Sequence, residues 1–313
     1  MDKNKRKFFT RRLSYILLRL SKFIHSLFPL WWSYFIGKIF GTLAYFLIRR
    51  HRKIAFESLS IAFPNLSKKE IKKIAKNFFI FMAQSSFELI YFLRHTDKIS
   101  KNVIVEGKEY LDLALSKKKG IILVTAHMGN FPLLGLKLVS LGYPVNFVTR
   151  PMRDKNTGDY LYKLRTKANI KTIFSYPRRE CLLNIIKALK NNEIVIIQMD
   201  QNFGSTGVWV KFFGKLAATP TGPVNLALKT DSSLICGYIC RERRYIHKIK
   251  LFEEEKLIIT EDKDKTILLN VINITRKIES WIKEYPDSWS WIHRRWKSRP
   301  SLRIRNLKFK VEK

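Results

Sequence analysis

At 313 residues the chain is long enough for one large α/β domain or a domain with an appendage, and its 46% apolar and 13% aromatic content excludes a disordered polymer. Sixty Lys and Arg against 25 Asp and Glu give a formal charge of +35, and so basic a surface seeks a polyanion, either nucleic acid or an anionic membrane. Cys181, Cys236 and Cys240 are too few for a disulfide framework and lack a histidine at zinc-ligand spacing, so neither a metal nor an oxidising compartment is expected.

Leu27 to Ile48 is a 22-residue stretch whose only charge is Lys38, long enough to cross a bilayer. Trp31, Trp32, Tyr34, Tyr45 and Phe46 cluster near its ends, where amphipathic rings favour the headgroup zone. Lys3, Lys5, Arg6, Lys7, Arg11 and Arg12 precede it and Arg49, Arg50, Arg52 and Lys53 follow. Cations on both flanks leave the orientation rule undecided, and a segment lying in or dipping into the interface satisfies both. An interfacial anchor, a single span and a buried helix all remain open. Residues 1–50 are expected to be a membrane-anchoring segment, and 51–313 an α/β domain with a helical lead-in over 51–100.

Ser67 with Glu70 three residues on is a capping box, predicting a helix from Ser67 towards Leu93. From Gly120 onward strands and helices alternate. Strands are expected at 121–125, 145–149, 171–175 and 194–199, with helices at 133–141, 157–168 and 179–190 between them. Val208 to Phe213, Ser233 to Cys240 and Tyr245 to Leu251 read as further strands, the last two a hairpin, before a helix from Thr266 to Lys283. The fold class that follows is α/β, with a mixed, largely parallel sheet flanked by helices.

In such sheets chemistry gathers where strands end. His127 follows the strand at 121–125, and histidine can take and return a proton near neutral pH. Asp200, with Gln201 beside it, ends the strand at 194–199, and Arg150 ends the strand at 145–149. If the first two strands run parallel, His127 and Asp200 emerge on one edge, where the carboxylate could hold the imidazole tautomer. The sequence contains no G-x-S-x-G elbow, phosphate-binding lysine loop, G-x-G-x-x-G or H-E-x-x-H, so covalent serine, nucleotide and zinc chemistry lack their recognisable parts.

Several short stretches, in order, carry a family resemblance: Arg49 to Ala55; Ala62 to Ser67; Ala126 to Asn130; Arg150 and Pro151; Asp200 to Gly204; Phe212 to Gly214; Ala217 to Gly222; and Trp289 to Lys297. Together they resemble the lipid A biosynthesis acyltransferases, membrane-bound late acyltransferases of Gram-negative bacteria, over nearly the full length. The resemblance implies a glycerolipid acyltransferase-like fold with an N-terminal apolar, membrane-associating helical segment, placed at the cytoplasmic face of the inner membrane as a single-pass or monotopic protein. It implies O-acyl transfer from an acyl carrier protein thioester, or acyl-coenzyme A, to a hydroxyl of a lipid A precursor. Those are co-substrates, and no bound cofactor is expected. Expected partners are anionic membrane lipid, acyl carrier protein and a glycolipid acceptor.

The family motif is a histidine followed, after four residues, by Asp or Glu. His127 matches, but Pro132 stands at the acidic position and cannot orient an imidazole. Asp200, matching the acid of the second motif, is the substitute partner; Glu88 or Glu180 are alternatives, as is a catalytically impaired chain. His127 is then the general base, the amides of Gly129 and Asn130 are oxyanion donors worth about 3 kcal/mol each, and Arg150 binds a phosphate. Gln201 joins Gly129, Asn130 and Arg150 as substrate-binding, while Arg178 and Arg179 suit a phosphate or a solvated helix start equally. Trp281 and the Trp289–Lys297 tail suit packing and interface contact. Nucleic-acid binding is not expected, because the basic residues are spread without a recognition module. A scaffold that lost its chemistry and an acyltransferase for another glycolipid or a lysophospholipid are the remaining rivals.

Overall fold

Ile121 to Thr125 form strand β2, buried along its whole length, as expected for a run of continuous apolar residues in a sheet covered on both faces. The computed structural model describes residues 29–300 except 153, 205 and 206. The basic cluster from Lys3 to Arg12 and the first two residues of the apolar stretch therefore lie outside the described residues.

In chain order the helices and strands are α1 (Leu30–Leu47), α2 (Arg49–Ala62), α3 (Lys68–Phe92), α4 (Ile99–Asn102), β1 (Val103–Glu106), α5 (Lys108–Ser116), β2, α6 (Phe131–Ser140), β3 (Val145–Thr149), α7 (Lys155–Lys167), β4 (Lys171–Phe174), α8 (Arg178–Lys190), β5 (Ile194–Gln198), β6 (Val208–Phe212), β7 (Lys215–Thr219), α9 (Gly222–Thr230), β8 (Ser233–Arg243), β9 (Ile246–Glu254) and α10 (Lys263–Glu284). Among the described residues seven strands form one sheet in the order β1-β9-β8-β2-β5-β3-β4. Every neighbouring pair is parallel except the β8–β9 hairpin. The mixed, largely parallel sheet is thus observed, and β2 lies directly beside β5.

Alternation along the strands divides the core in two. Ile122, Val124, Val195, Leu234 and Cys236 pack with residues of α2, α3, α8, α9 and α10 on one face. Ile121, Leu123, Ile194, Ile196 and Ile235 pack with residues of α5 and α6 on the other. Fully burying side chains of this size stabilises by about 1.5–3 kcal/mol each. The capping box holds α3 as expected: Ser67 Oγ accepts from the Glu70 amide and Glu70 Oε2 accepts from the Ser67 amide.

The structure refines two expectations. Within the described part of Leu27 to Ile48, α1 has 18 residues, and no helix among the described residues is long and apolar enough to cross a membrane. The reason is two-sided use. Ser33, Tyr34, Gly37, Gly41 and Tyr45 are buried, and the missing side chain of Gly37 lets α1 lie so close to α3 that a Cβ there would stand 2.6 Å from Gln84 Cα. Trp31, Phe35, Phe40, Leu43, Phe46 and Leu47 point outward and are exposed. Second, the strand expected at Val208 to Phe213 is present as Val208 to Phe212, and it pairs with Lys215 to Thr219 in a separate antiparallel hairpin.

Candidate active site

Thr125 ends β2, and the chain then runs through Ala126 and His127 into the first turn of α6. Pro132 is tolerated there because the amide it lacks has no intrahelical partner at that position. Gln198 ends β5, and the ladder continues one step further, with the Met199 amide donating to the Thr125 carbonyl at 3.1 Å. Asp200 comes next and meets the imidazole: His127 Nδ1 lies 2.8 Å from Asp200 Oδ1. A carboxylate only accepts, so Nδ1 carries the hydrogen and Nε2 keeps its lone pair. Phe131 sets its ring edge-on to the imidazole, with centroids 5.2 Å apart.

Asp200 is 1% exposed, and its second oxygen accepts the indole N–H of Trp289 at 2.8 Å. The segment carrying Trp289 also holds the histidine loop. Met128 and Trp289 form an antiparallel bridge, the Gly129 amide donates to the Ser288 carbonyl at 3.0 Å, and the Ser290 amide donates to the His127 carbonyl at 3.1 Å. Burial would push the imidazole pKa down, but the Asp200 charge and hydrogen bond outweigh it and hold His127 above its ordinary value of 6.5. Burial would likewise raise Asp200, but the charge and hydrogen bond of His127, with the Trp289 donor, keep it below the usual carboxylate range.

His127 lies on the wall of a cavity of about 390 Å³. Leu89, Leu93, Leu136, Phe147, Leu161 and Ile170 make that wall largely apolar, and Pro132 is part of it. Arg150 and Arg165 are its cations, and no carboxylate lines it among the described residues. Burial lowers the Arg165 pKa, and its buried Nε has no hydrogen-bond partner.

The remaining expected site residues divide. Gly129 is not available as an oxyanion donor, because its amide is committed to Ser288. Its φ of +60° and close packing, in which a Cβ would collide with the Ile239 carbonyl, give it a structural reason instead. The Asn130 side chain is buried and donates to the Ser85 carbonyl at 3.0 Å and Glu88 Oε2 at 2.9 Å. Gln201 is off the cavity wall, and its carbonyl accepts from Arg295. Glu88 is not the partner of His127: its oxygens are taken by Tyr34, by Asn130, by His247 Nε2 at 2.7 Å and by Arg241 at 3.5 Å. Glu180, Arg178 and Arg179 are exposed in the first turn of α8. Trp289 and Arg165 were not singled out for the site by sequence reasoning; the one available signal was that a buried indole needs an acceptor.

The family model described as bacterial lipid A biosynthesis acyltransferase matches residues 3–298. The chain belongs to this family. It is 27% identical to the lipid A biosynthesis palmitoleoyltransferase of Escherichia coli (strain K12) over 271 residues, 85% of each chain. It is 28% identical to the lipid A biosynthesis lauroyltransferase of the same organism over 274 residues, 85% of this chain and 86% of that one. A phosphatidylinositol mannoside acyltransferase of Mycobacterium tuberculosis (strain CDC 1551 / Oshkosh) is 26% identical over 133 residues, 42% of each chain. The crystal structure of the 1-acyl-sn-glycerophosphate (LPA) acyltransferase PlsC from Thermotoga maritima is a looser likeness, at 17% identity and a TM-score of 0.37 over 87% of this chain and 97% of that one. Membership makes this chain an acyltransferase.

Proposed function

We propose that this acyltransferase moves a fatty acyl group from an acyl carrier protein thioester to a hydroxyl of a lipid A precursor, with His127 as general base and Asp200 as its orienting carboxylate. The observation that carries the reading is the 2.8 Å contact between His127 Nδ1 and Asp200 Oδ1 beside a largely apolar cavity. Nε2 takes the proton of the acceptor hydroxyl as its oxygen attacks the thioester carbonyl. The imidazolium is held by Asp200, then returns the proton to the departing thiolate as the C–S bond breaks, so the base is regenerated. The apolar wall takes the acyl chain, and Arg150 faces the anionic part of a substrate.

The outward stripe of α1 seats in the interfacial zone of an anionic leaflet, monotopic at the cytoplasmic face of the inner membrane. Arg49, Arg50 and Lys53, exposed at the start of α2, supply the cationic flank beside that stripe. The same excess of positive charge suits an anionic carrier protein. The contact of Asp200 with the imidazole also speaks against a chain disabled by Pro132.

The test is turnover of labelled acyl carrier protein with a lipid A precursor in anionic vesicles. His127→Ala is expected to lose activity. Turnover within about threefold of wild type, well short of what a general base contributes, would remove His127 from the mechanism.

A further inference from the structure

We infer that Trp289 is a positioning residue for acyl transfer, acting through Asp200: its indole N–H fixes the carboxylate rotamer that faces His127 and sets how strongly that carboxylate holds the imidazolium. The inference rests on the reading of His127 as base. With a proline at position 132, the imidazole takes its orientation from across the sheet, so anything that turns Asp200 turns the base as well. Each Asp200 oxygen has a side-chain partner, Oδ1 meeting His127 Nδ1 and Oδ2 meeting Trp289 Nε1, both at 2.8 Å, and the His127 backbone also bonds the carboxylate. A carboxylate held at both oxygens cannot rotate about its terminal bond without breaking a charge-assisted hydrogen bond.

The backbone of Trp289 makes the arrangement reciprocal. It bridges Met128 while its neighbours Ser288 and Ser290 bond Gly129 and His127. One extended segment therefore aligns base and acid together. Trp289 is fully buried, stacked T-shaped on Trp291 at 4.7 Å and tilted against Phe212, so the indole has no room to swing away.

The other titratable groups facing Asp200 come from the same tail. His293 Nε2 accepts from the Asn202 amide, which leaves it neutral, and burial lowers its pKa. Arg295 is buried and bonded to the Ala218 carbonyl and Thr219 Oγ1. Arg295 acts on Asp200 electrostatically, and neither residue bonds it.

Trp289→Phe keeps the ring and removes the donor. Without that donor more negative charge remains to hold the imidazolium, so the acid limb of the pH–rate profile moves to higher pH. Turnover falls about tenfold to a hundredfold, the range for a hydrogen bond to a charged group, with KM unchanged. Trp291→Phe is the packing control: it is equally buried and bonds the Pro286 carbonyl, and it is expected to lose stability with the acid limb unmoved. Adding Trp289→Phe to Asp200→Asn is expected to cost far less than in wild type. Wild-type turnover in Trp289→Phe, loss without movement of the acid limb, or full additivity with Asp200→Asn overturns the inference while leaving His127→Ala free to support the base. Should Trp289→Phe not fold, the wild-type indole proton, assigned through the backbone of Trp289, decides by NMR: it must titrate with the midpoint of His127, and an indole blind to that titration overturns the inference.

Discussion

Thr125 and Gln198 are register partners at the ends of adjacent parallel strands, and His127 and Asp200 each stand two residues beyond them. Parallel pairing carries both chains off the sheet in step, so their side chains meet at 2.8 Å although 73 residues separate them. A slip of one residue would send the set to the opposite face.

That pairing predicts the pH dependence. In the proposed mechanism His127 works only when neutral, and Asp200 holds it above its ordinary 6.5, so kcat/KM should fall as pH drops through a midpoint above that value. Asp200→Asn should move the midpoint down and lower turnover by roughly 10³–10⁴-fold, as loss of an orienting carboxylate does in a triad. A pH–rate profile of both proteins checks the two effects together.

Pro132→Glu restores the residue type of the family motif, yet it should not raise turnover. Asp200 already bonds Nδ1, and position 132 is part of a largely apolar cavity wall where a carboxylate would be desolvated. The expected outcome is a higher KM for the acyl donor with kcat no higher than wild type, read by steady-state kinetics.

Glu88→Ala should destabilise the fold by about 3–5 kcal/mol, since it leaves buried polar and cationic partners without their acceptor. Burial opposes the charge of Glu88, but His247, Arg241 and the Tyr34 hydroxyl bring its pKa down from 4.5 to about 2. A depressed carboxylate contributes stability that is complete above 4.5 and is lost as pH falls through about 2. Denaturant melts across that window should show the loss in wild type and not in the variant.

Gly129→Ala should be more damaging than an exposed glycine change. Its left-handed φ alone costs roughly 1–2 kcal/mol for a residue with a Cβ, and the added carbon meets the Ile239 carbonyl. Thermal unfolding should fall together with activity, because the amide of Gly129 ties the histidine loop to Ser288.

Phe40→Glu with Leu43→Glu should weaken binding to anionic vesicles while leaving the melting temperature near wild type. Both side chains are exposed on the outer face of α1, and losing an apolar side chain of this size from a lipid interface removes about 1.5–3 kcal/mol. Co-sedimentation with vesicles measures it, and high salt should weaken the remaining binding.

The strands that build the site were legible because β2, β3 and β5 are short, apolar and β-branched, bounded by polar turns. Helix α3 announced itself through Ser67 and Glu70. β1 and β7 were not legible: Val103 to Glu106 is only four residues long, and Ala217 and Ala218 carry little strand preference outside their hairpin. Leu27 to Ile48 left several readings open. Hydropathy counts apolar residues without saying which face a neighbour will cover, and Gly37 and Gly41 turn one face of α1 towards α3. Asp200 could be named from its place at a strand end. Trp289 could not, because its donor meets that acid across 89 residues.

An orienting acid carried on a separate strand, as proposed for Asp200, has a wider effect. When one residue both steers the base and stands where cargo lies, a change made for one duty disturbs the other. In the proposed mechanism Pro132 has no part in moving protons and only lines the cavity. Position 132 is therefore open to variation in size and shape, and related chains with the same substitution could diverge in the length or branching of what they carry while keeping one unaltered proton relay.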